Sequence, residues 1–165
     1  MILRKAKVRV HLCIGGVGPE RVKLQNLIRE LALVESVTMT GFIPTELLPS
    51  YYGASDFFIL PTRRLEGFGL VTPESMACGT PVLGTPVGGT VEILSNFDSQ
   101  LLFSDTSPEA MATGIRMAIE KYFNDSERYL ELRKRCRAHA EMNFSWDRHI
   151  HQLAASFEKL GHKMN

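Results

Sequence analysis

What most restricts this chain is a rhythm: short apolar runs rich in β-branched residues, each stopped by glycine or proline, alternate with stretches of helical period. Val8 to Ile14 alternates, then runs apolar and ends at Gly15-Gly16, which predicts a buried strand. Pro19 and Glu20 open an amphipathic helix reaching about Leu33, with Leu24, Leu27, Ile28 and Leu31 on one face. Val37 to Thr40, closed by Gly41, predicts a short strand, and Pro44 starts a turn of helix. Asp56 to Leu60 is a third apolar run, stopped by Pro61. Leu70 to Cys78 has helical spacing, Pro81 to Gly84 reads as a brief strand, Thr90 to Leu94 as a short helix and Gln100 to Phe103 as the last strand. Strand signals then fade, and three amphipathic helices are expected at Pro108 to Phe123, Ser126 to about Met142 and Ser145 to about Leu160. Ser145 stands where it can N-cap the last of them.

Strands that alternate with helices imply a parallel sheet with right-handed crossovers, covered on both faces. The expected fold is therefore α/β, a Rossmann-like doubly wound parallel sheet with a helical C-terminal segment. At 165 residues it should be one domain over residues 1–165. Sheets of this kind bind ligands outside the carboxyl ends of their strands. That rule selects the loops at Gly15-Gly16, Gly41-Phe42, Pro61 to Gly69 and Thr85 to Thr90.

Several function classes are set aside at this stage. A formal net charge of +1 provides no global field to gather nucleic acid. The three cysteines, Cys13, Cys78 and Cys136, form no Cys-x-x-Cys pair and read as reduced thiols, so a cytoplasmic location is expected. No apolar stretch approaches the roughly 18–20 residues that span a bilayer, which leaves only a peripheral membrane contact through another domain. Gly16-Val17-Gly18 is not a dinucleotide fingerprint, since Arg21 holds its third glycine position and no acidic residue closes the next strand. His149 and His151, two apart on a helix, diverge and make no metal site. His11 and Cys78 are read as packing residues, and the run Arg133, Lys134, Arg135, Arg137 as a solvated face.

The informative stretch runs from Glu66 through Gly67-Phe68-Gly69-Leu70-Val71 to Glu74, then Ala77-Cys78-Gly79-Thr80-Pro81-Val82. It starts in a loop after a strand, passes two glycines, enters a helix and leaves it for the next strand. Gly67 and Gly69 let a ligand approach the main chain, and the amides of Gly69, Leu70 and Val71 at a helix start attract a phosphate. The cap of that helix is either Gly69 or Thr72, because Pro73 favours the first helical position. Glu74, in the first turn, presents an acceptor-only carboxylate to which two adjacent ribose hydroxyls can each donate. Glu66 approaches a sugar ring from the other side of the phosphate. A glycosidase acid and nucleophile pair would need the two carboxyls held across a bond, which a helix-terminal Glu beside a phosphate loop fits poorly.

The pattern Glu66-x7-Glu74 around Gly67-Phe68-Gly69 resembles the signature of the group 1 retaining glycosyltransferases of the GT-B fold. The resemblance extends to Gly15-Gly16-Val17-Gly18-Pro19, Gly41-Phe42-Ile43, Ser55-Asp56 with Phe57 to Thr62, and Val87-Gly88-Gly89 with Glu92, running to Trp146 or beyond. It implies the C-terminal, donor-binding half of such an enzyme, holding a nucleotide diphosphate sugar for retaining transfer of a hexosyl group. By it Glu74 holds the ribose, and Glu66 contacts the transferred sugar as the catalytic residue. Phe68, Gly69 and Leu70 take the diphosphate through their amides. Gly41, Phe42 and Ile43 receive the base, and Gly16 lines the same cleft. No metal and no cofactor beyond the donor itself is implied.

The resemblance also marks departures. An Arg and a Lys that family members carry on the first strand of this domain and the loop after it are not matched; Arg4, Lys5 and Lys7 lie in what reads as the tail of the helix following that strand. The first strand and the acceptor-binding N-terminal domain are thus expected to lie outside this chain, and the chain alone to transfer no sugar. In the family's order the unmatched strand is central, between those at Val8 and Asp56. One extra residue separates Pro61 from Glu66, and Arg63 and Arg64 lie near the phosphates or face water. The alternative class is a non-catalytic nucleotide-sugar-binding module of the same fold; a sugar-nucleotide epimerase resembles the sequence less.

Overall fold

The computed structural model describes residues 2–161. A one-turn helix α1 (Ile2–Lys5) precedes β1 (Leu12–Gly15), α2 (Arg21–Glu30) and β2 (Val37–Gly41). A 3-10 turn at Thr45–Leu47 leads into α3 (Leu48–Ala54), followed by β3 (Phe58–Leu60), α4 (Val71–Ala77), β4 (Val82–Gly84) and α5 (Gly89–Phe97). After a 3-10 turn at Ser99–Leu101 the chain is helical: α6 (Pro108–Ala118), continued by a π-helical turn at Ile119–Phe123, then α7 (Ser126–Phe144) and α8 (Trp146–Gly161). Side-chain caps set three of these starts. Ser107 Oγ accepts the Ala110 amide at 3.1 Å with Pro108 at the first helical position, Asp125 accepts the Arg128 amide at 3.0 Å, and Ser145 accepts that of Arg148 at 3.4 Å.

All ladders are parallel, as the alternation requires, but they do not form one sheet. β1 pairs with β2, with Leu12 opposite Val37, and β3 pairs with β4, with Phe58 opposite Val82; no hydrogen-bonded ladder joins β1 to β3. The split explains why the first strand is shorter and wetter than its sequence predicts. Val8 to His11 are not strand, and Leu12 is 43% exposed. With one edge of β1 bare, those residues have no ladder to join. His11 is likewise not a packing residue: it is exposed, its Nε2 2.8 Å from Thr38 Oγ1 across the pair.

The expected last strand also resolves differently. Asp98 accepts the Gln100 amide at 3.1 Å and curls Ser99–Leu101 into a 3-10 turn, leaving a single bridge from Leu102 to Gly84. A side chain that satisfies the backbone locally removes the need for a ladder.

The buried core surrounds β3 and β4. Val82 and Leu83 are enclosed by Met76 of α4, Ile93 and Leu94 of α5, Ala118, Tyr122, and Leu132, Cys136 and Ala140 of α7, while β1, α2 and β2 contribute nothing to it. Leu24 and Ile28 of α2 and Leu31 just after it are half-buried, and Leu27 is exposed. On α8, Trp146, Ile150, Leu153 and Phe157 recur along one stripe and are all exposed. No helix among the described residues is long and apolar enough to cross a membrane.

The basic run on α7 is more than a solvated face. Arg133 donates to the carbonyls of Ser55 at 3.2 Å and Gly53 at 3.0 Å and to the Tyr129 hydroxyl at 3.0 Å. Its cation therefore sits at the carboxyl end of α3, where the helix dipole favours positive charge. Arg135 lies over the Phe97 ring, and Arg137 pairs with Glu141. Arg133→Met should cost about 1–2 kcal/mol, read as a lower denaturant midpoint at unchanged slope. A loss below about 0.5 kcal/mol would show that water replaces the clasp.

Candidate functional site

The loop between β3 and α4 is held from behind. Thr85, fully buried at the end of β4, donates its amide to Leu60 O at 3.1 Å and its hydroxyl to Thr62 O. The Thr62 hydroxyl in turn donates to Glu66 Oε2 at 2.9 Å. Leu65, fully exposed at φ 55°, takes the left-handed conformation that side chains avoid. Nothing packs on it to compensate, so the hydrogen bonds around it must hold the turn that presents Glu66.

Two glycines of the next loop press directly on this one. The Gly89 amide donates to Gly67 O at 2.8 Å. A Cβ added at Gly88 would overlap the Glu66 carbonyl, and one at Gly89 the Phe68 carbonyl. The start of α5 thus serves as the floor on which Glu66 to Phe68 rest.

Helix α4 begins at Val71 with Leu70 at its N-cap, so neither Gly69 nor Thr72 is the cap and Pro73 stands at the third helical position. Thr72 N bonds Gly69 O at 2.8 Å, and Glu74 N bonds Leu70 O at 3.1 Å. The amides of Phe68, Gly69, Leu70 and Val71 donate to no backbone carbonyl among the described residues. Four adjacent donors without a carbonyl partner suit an anionic oxygen. Gly69, at φ 74°, has Thr90 Oγ1 and Glu66 Oε1 beside it, 3.4 and 3.6 Å from where a Cβ would stand. The buried hydroxyls of Thr72 and Thr90 have no hydrogen-bond partner among the described residues.

Glu74 is exposed in the first turn of α4, outside the core, and Tyr52 from α3 points its hydroxyl at Oε2 from 3.4 Å. Burial, and then the Glu74 charge, push the Tyr52 phenol up to about 12. On the far side of Phe68 lies an open crevice of about 170 Å³, lined by Phe68, Glu92, Ile93, Asn96, His139, Asn143 and Phe144. Burial holds His139 below the usual imidazole value.

A second cluster forms at the carboxyl ends of β1 and β2. The Gly16 amide donates to Gly41 O at 2.6 Å, where the register slips so that Gly15 faces Gly41. The Ile43 side-chain tip packs against Gly15, where a Cβ would have to displace it, and Phe42 is 71% exposed. Gly16, Gly41, Phe42 and Ile43 are therefore neighbours, with the Arg21 guanidinium 3.3 Å from where a Cβ of Gly41 would be. Arg63 and Arg64 are exposed.

This arrangement coincides with a known family. The profile described as "Glycosyl transferases group 1" matches residues 1–142. The chain belongs to the group 1 glycosyltransferases. It is 33% identical over 156 residues to D-inositol 3-phosphate glycosyltransferase of Corynebacterium urealyticum, covering 93% of this chain and 35% of that one. Mannosylfructose-phosphate synthase of Agrobacterium fabrum is 31% identical over 161 residues, covering 94% of this chain and 34% of that one. The structure of sucrose-phosphate synthase from Thermosynechococcus elongatus superposes with a TM-score of 0.78 at 29% identity, covering 93% of this chain and 39% of that one. Anabaena HepE in complex with UDP gives 0.78 at 24% identity, covering 91% and 41%, a likeness of fold. The chain thus spans about a third of the length of the curated relatives it matches.

Within this family member the Rossmann-like fold places the two clusters where the strand-end rule requires. Sequence reasoning placed Glu66, Gly67, Phe68, Gly69, Leu70, Val71 and Glu74, with Gly16, Gly41, Phe42 and Ile43, in one donor cleft; the structure has the first seven together at the start of α4, and Gly16, Gly41, Phe42 and Ile43 together at the ends of β1 and β2. It did not find the supports: Thr62 and Thr85 behind Glu66, Tyr52 beside Glu74, Gly88 and Gly89 under the loop. Thr62, Thr85 and Val87-Gly88-Gly89 lie in stretches the sequence had singled out, but what they touch is seen only in three dimensions.

Proposed function

We propose that this chain is the donor-binding part of a retaining glycosyltransferase that takes a nucleoside diphosphate sugar. The observation that carries the reading is the row of amides from Phe68 to Val71, without a backbone partner among the described residues, between two carboxylates, Glu66 and Glu74. The amides receive the diphosphate, Glu74 accepts from the ribose hydroxyls, and Glu66 contacts the sugar at the scissile end. The cluster at Gly16 and Gly41 to Ile43 takes the base. As the sugar–phosphate bond breaks, its electron pair leaves on the diphosphate, and preorganised amides stabilise that charge without a metal. Transfer retains the anomeric configuration.

The acceptor is recognised by a domain outside this chain, and the isolated chain transfers no sugar. Residues beyond it also supply the strand between β1 and β3; the gap between the two ladders and the wet edge of β1 support this. The protein works in the cytoplasm.

Calorimetric titration of the full-length protein with UDP, GDP and ADP tests the reading. One of the three should bind, and Glu74→Ala should weaken it about ten- to hundredfold, the loss of charge-assisted hydrogen bonds. Failure of the intact protein to bind any of them would remove the assignment.

A further inference from the structure

Tyr52 is the one buried residue of α3, and its position is fixed from two sides. Its ring packs edge-on against Phe58 of β3, with centroids 5.3 Å apart and planes at 87°. Its carbonyl accepts the hydroxyl of fully buried Thr80 at 2.7 Å, and Thr80 is tied to α4, its amide 3.0 Å from Ser75 O and its carbonyl 3.1 Å from Ser75 Oγ. One polar atom is left over, the phenol oxygen, and it faces Glu74 Oε2 at 3.4 Å.

Glu74 differs in every respect. It is exposed, and Tyr52 is its one side-chain hydrogen-bond partner among the described residues. A free glutamate samples many rotamers, and ordering it when a ligand arrives costs conformational entropy. A rigid donor at one oxygen narrows that search beforehand. It leaves the second oxygen and the remaining lone pair of the first open to accept, which matches the two adjacent hydroxyls of a ribose.

We infer that Tyr52 is a positioning residue, its phenol holding the Glu74 carboxylate in the orientation that accepts both ribose hydroxyls, so that recognition of the ribose depends on it. This rests on the donor-binding reading above. A phenol is protonated and donating through the neutral range, and burial with the Glu74 charge, which push this one up to about 12, only widen that margin. Its separation from Oε2, 3.4 Å, exceeds the usual O–H···O length, so the contact biases the carboxylate's orientation without immobilising it.

The experiment compares UDP, GDP and ADP with their 2′,3′-dideoxy counterparts on the full-length protein by calorimetry. Tyr52→Phe keeps the ring against Phe58 and deletes only the hydroxyl. It should weaken the ribonucleotide about three- to tenfold, leave the dideoxy form unchanged, and have no further effect in a Glu74→Ala background. Equal weakening of both ligands would show that Tyr52 acts through packing, and an unchanged ribonucleotide affinity would show that its hydroxyl does nothing; either overturns the inference. Glu74→Ala by itself separates the two levels: if it leaves the preference for ribose intact, the assignment of Glu74 falls, and this inference with it.

Discussion

Gly88→Ala should lower nucleoside diphosphate affinity more than hundredfold and destabilise the domain by about 2–4 kcal/mol. Two separate penalties meet at that position. The backbone has φ 57° and ψ −146°, a combination essentially restricted to glycine. A Cβ would also overlap the Glu66 carbonyl, its carbon and its Cβ, so backbone and not a yielding side-chain tip is in the way. The loop from Glu66 to Phe68 must lift off the start of α5, breaking the bond from the Gly89 amide to Gly67 O. The Glu66 carboxylate and the row of amides then move relative to Glu74 on α4, and losing two charge-assisted hydrogen bonds at about 1.5–3 kcal/mol each lowers affinity by more than two orders of magnitude. Gly53→Ala is the matched control. Nothing lies within 4 Å of its added carbon, it sits in α3, and a small gain in stability is expected. Calorimetry and denaturant unfolding read both variants, and a folded Gly88→Ala protein with unchanged affinity would refute the cradle.

The contrast between these two glycines shows what the sequence could and could not disclose. The strands at Val37, Phe58 and Val82 were legible because each is a short apolar run cut off by Gly or Pro, a local signal. The glycine loop entering a helix was legible for the same reason. Three features were not legible in any local run. The separation of the ladders was implied only by the resemblance, whose unmatched strand lies between those at Val8 and Asp56. The loss of the Gln100 to Phe103 strand depends on one carboxylate, that of Asp98, capturing the Gln100 amide and curling the chain first. The supports of the site, Tyr52, Thr62, Thr85 and Gly88, belong to three segments that meet only after folding. Thr62 and Thr85 stand 23 residues apart and act as one relay to Glu66. Residues that touch a ligand carry composition signals tied to its chemistry, whereas residues that aim them carry almost none.

That division predicts a second large effect, of the opposite character. Leu132 on α7 is 1% exposed and lies in the core with Met76 of α4, Val82 and Leu83 of β4, and Leu94 of α5. Leu132→Ala should cost about 2–5 kcal/mol, the transfer of the lost carbons plus the cavity they leave. Leu132 lies in the core cluster and is not a partner of Glu66 or Glu74, whereas α7 meets the site through α4, through Arg133 on the carboxyl end of α3, and through Phe144, whose ring lies 6.0 Å from that of Phe68. The unfolding midpoint should therefore drop steeply, while the folded fraction binds nucleoside diphosphate within about twofold of the wild type, since distant sites act additively. Adding ligand should recover part of the lost midpoint by mass action, because only the folded state binds. Gly88→Ala should show no such recovery, its binding surface being the thing removed. If Leu132→Ala instead lost affinity in proportion to stability, α7 would be setting the geometry of α4, and the site could not be treated as a surface carried on an independent core.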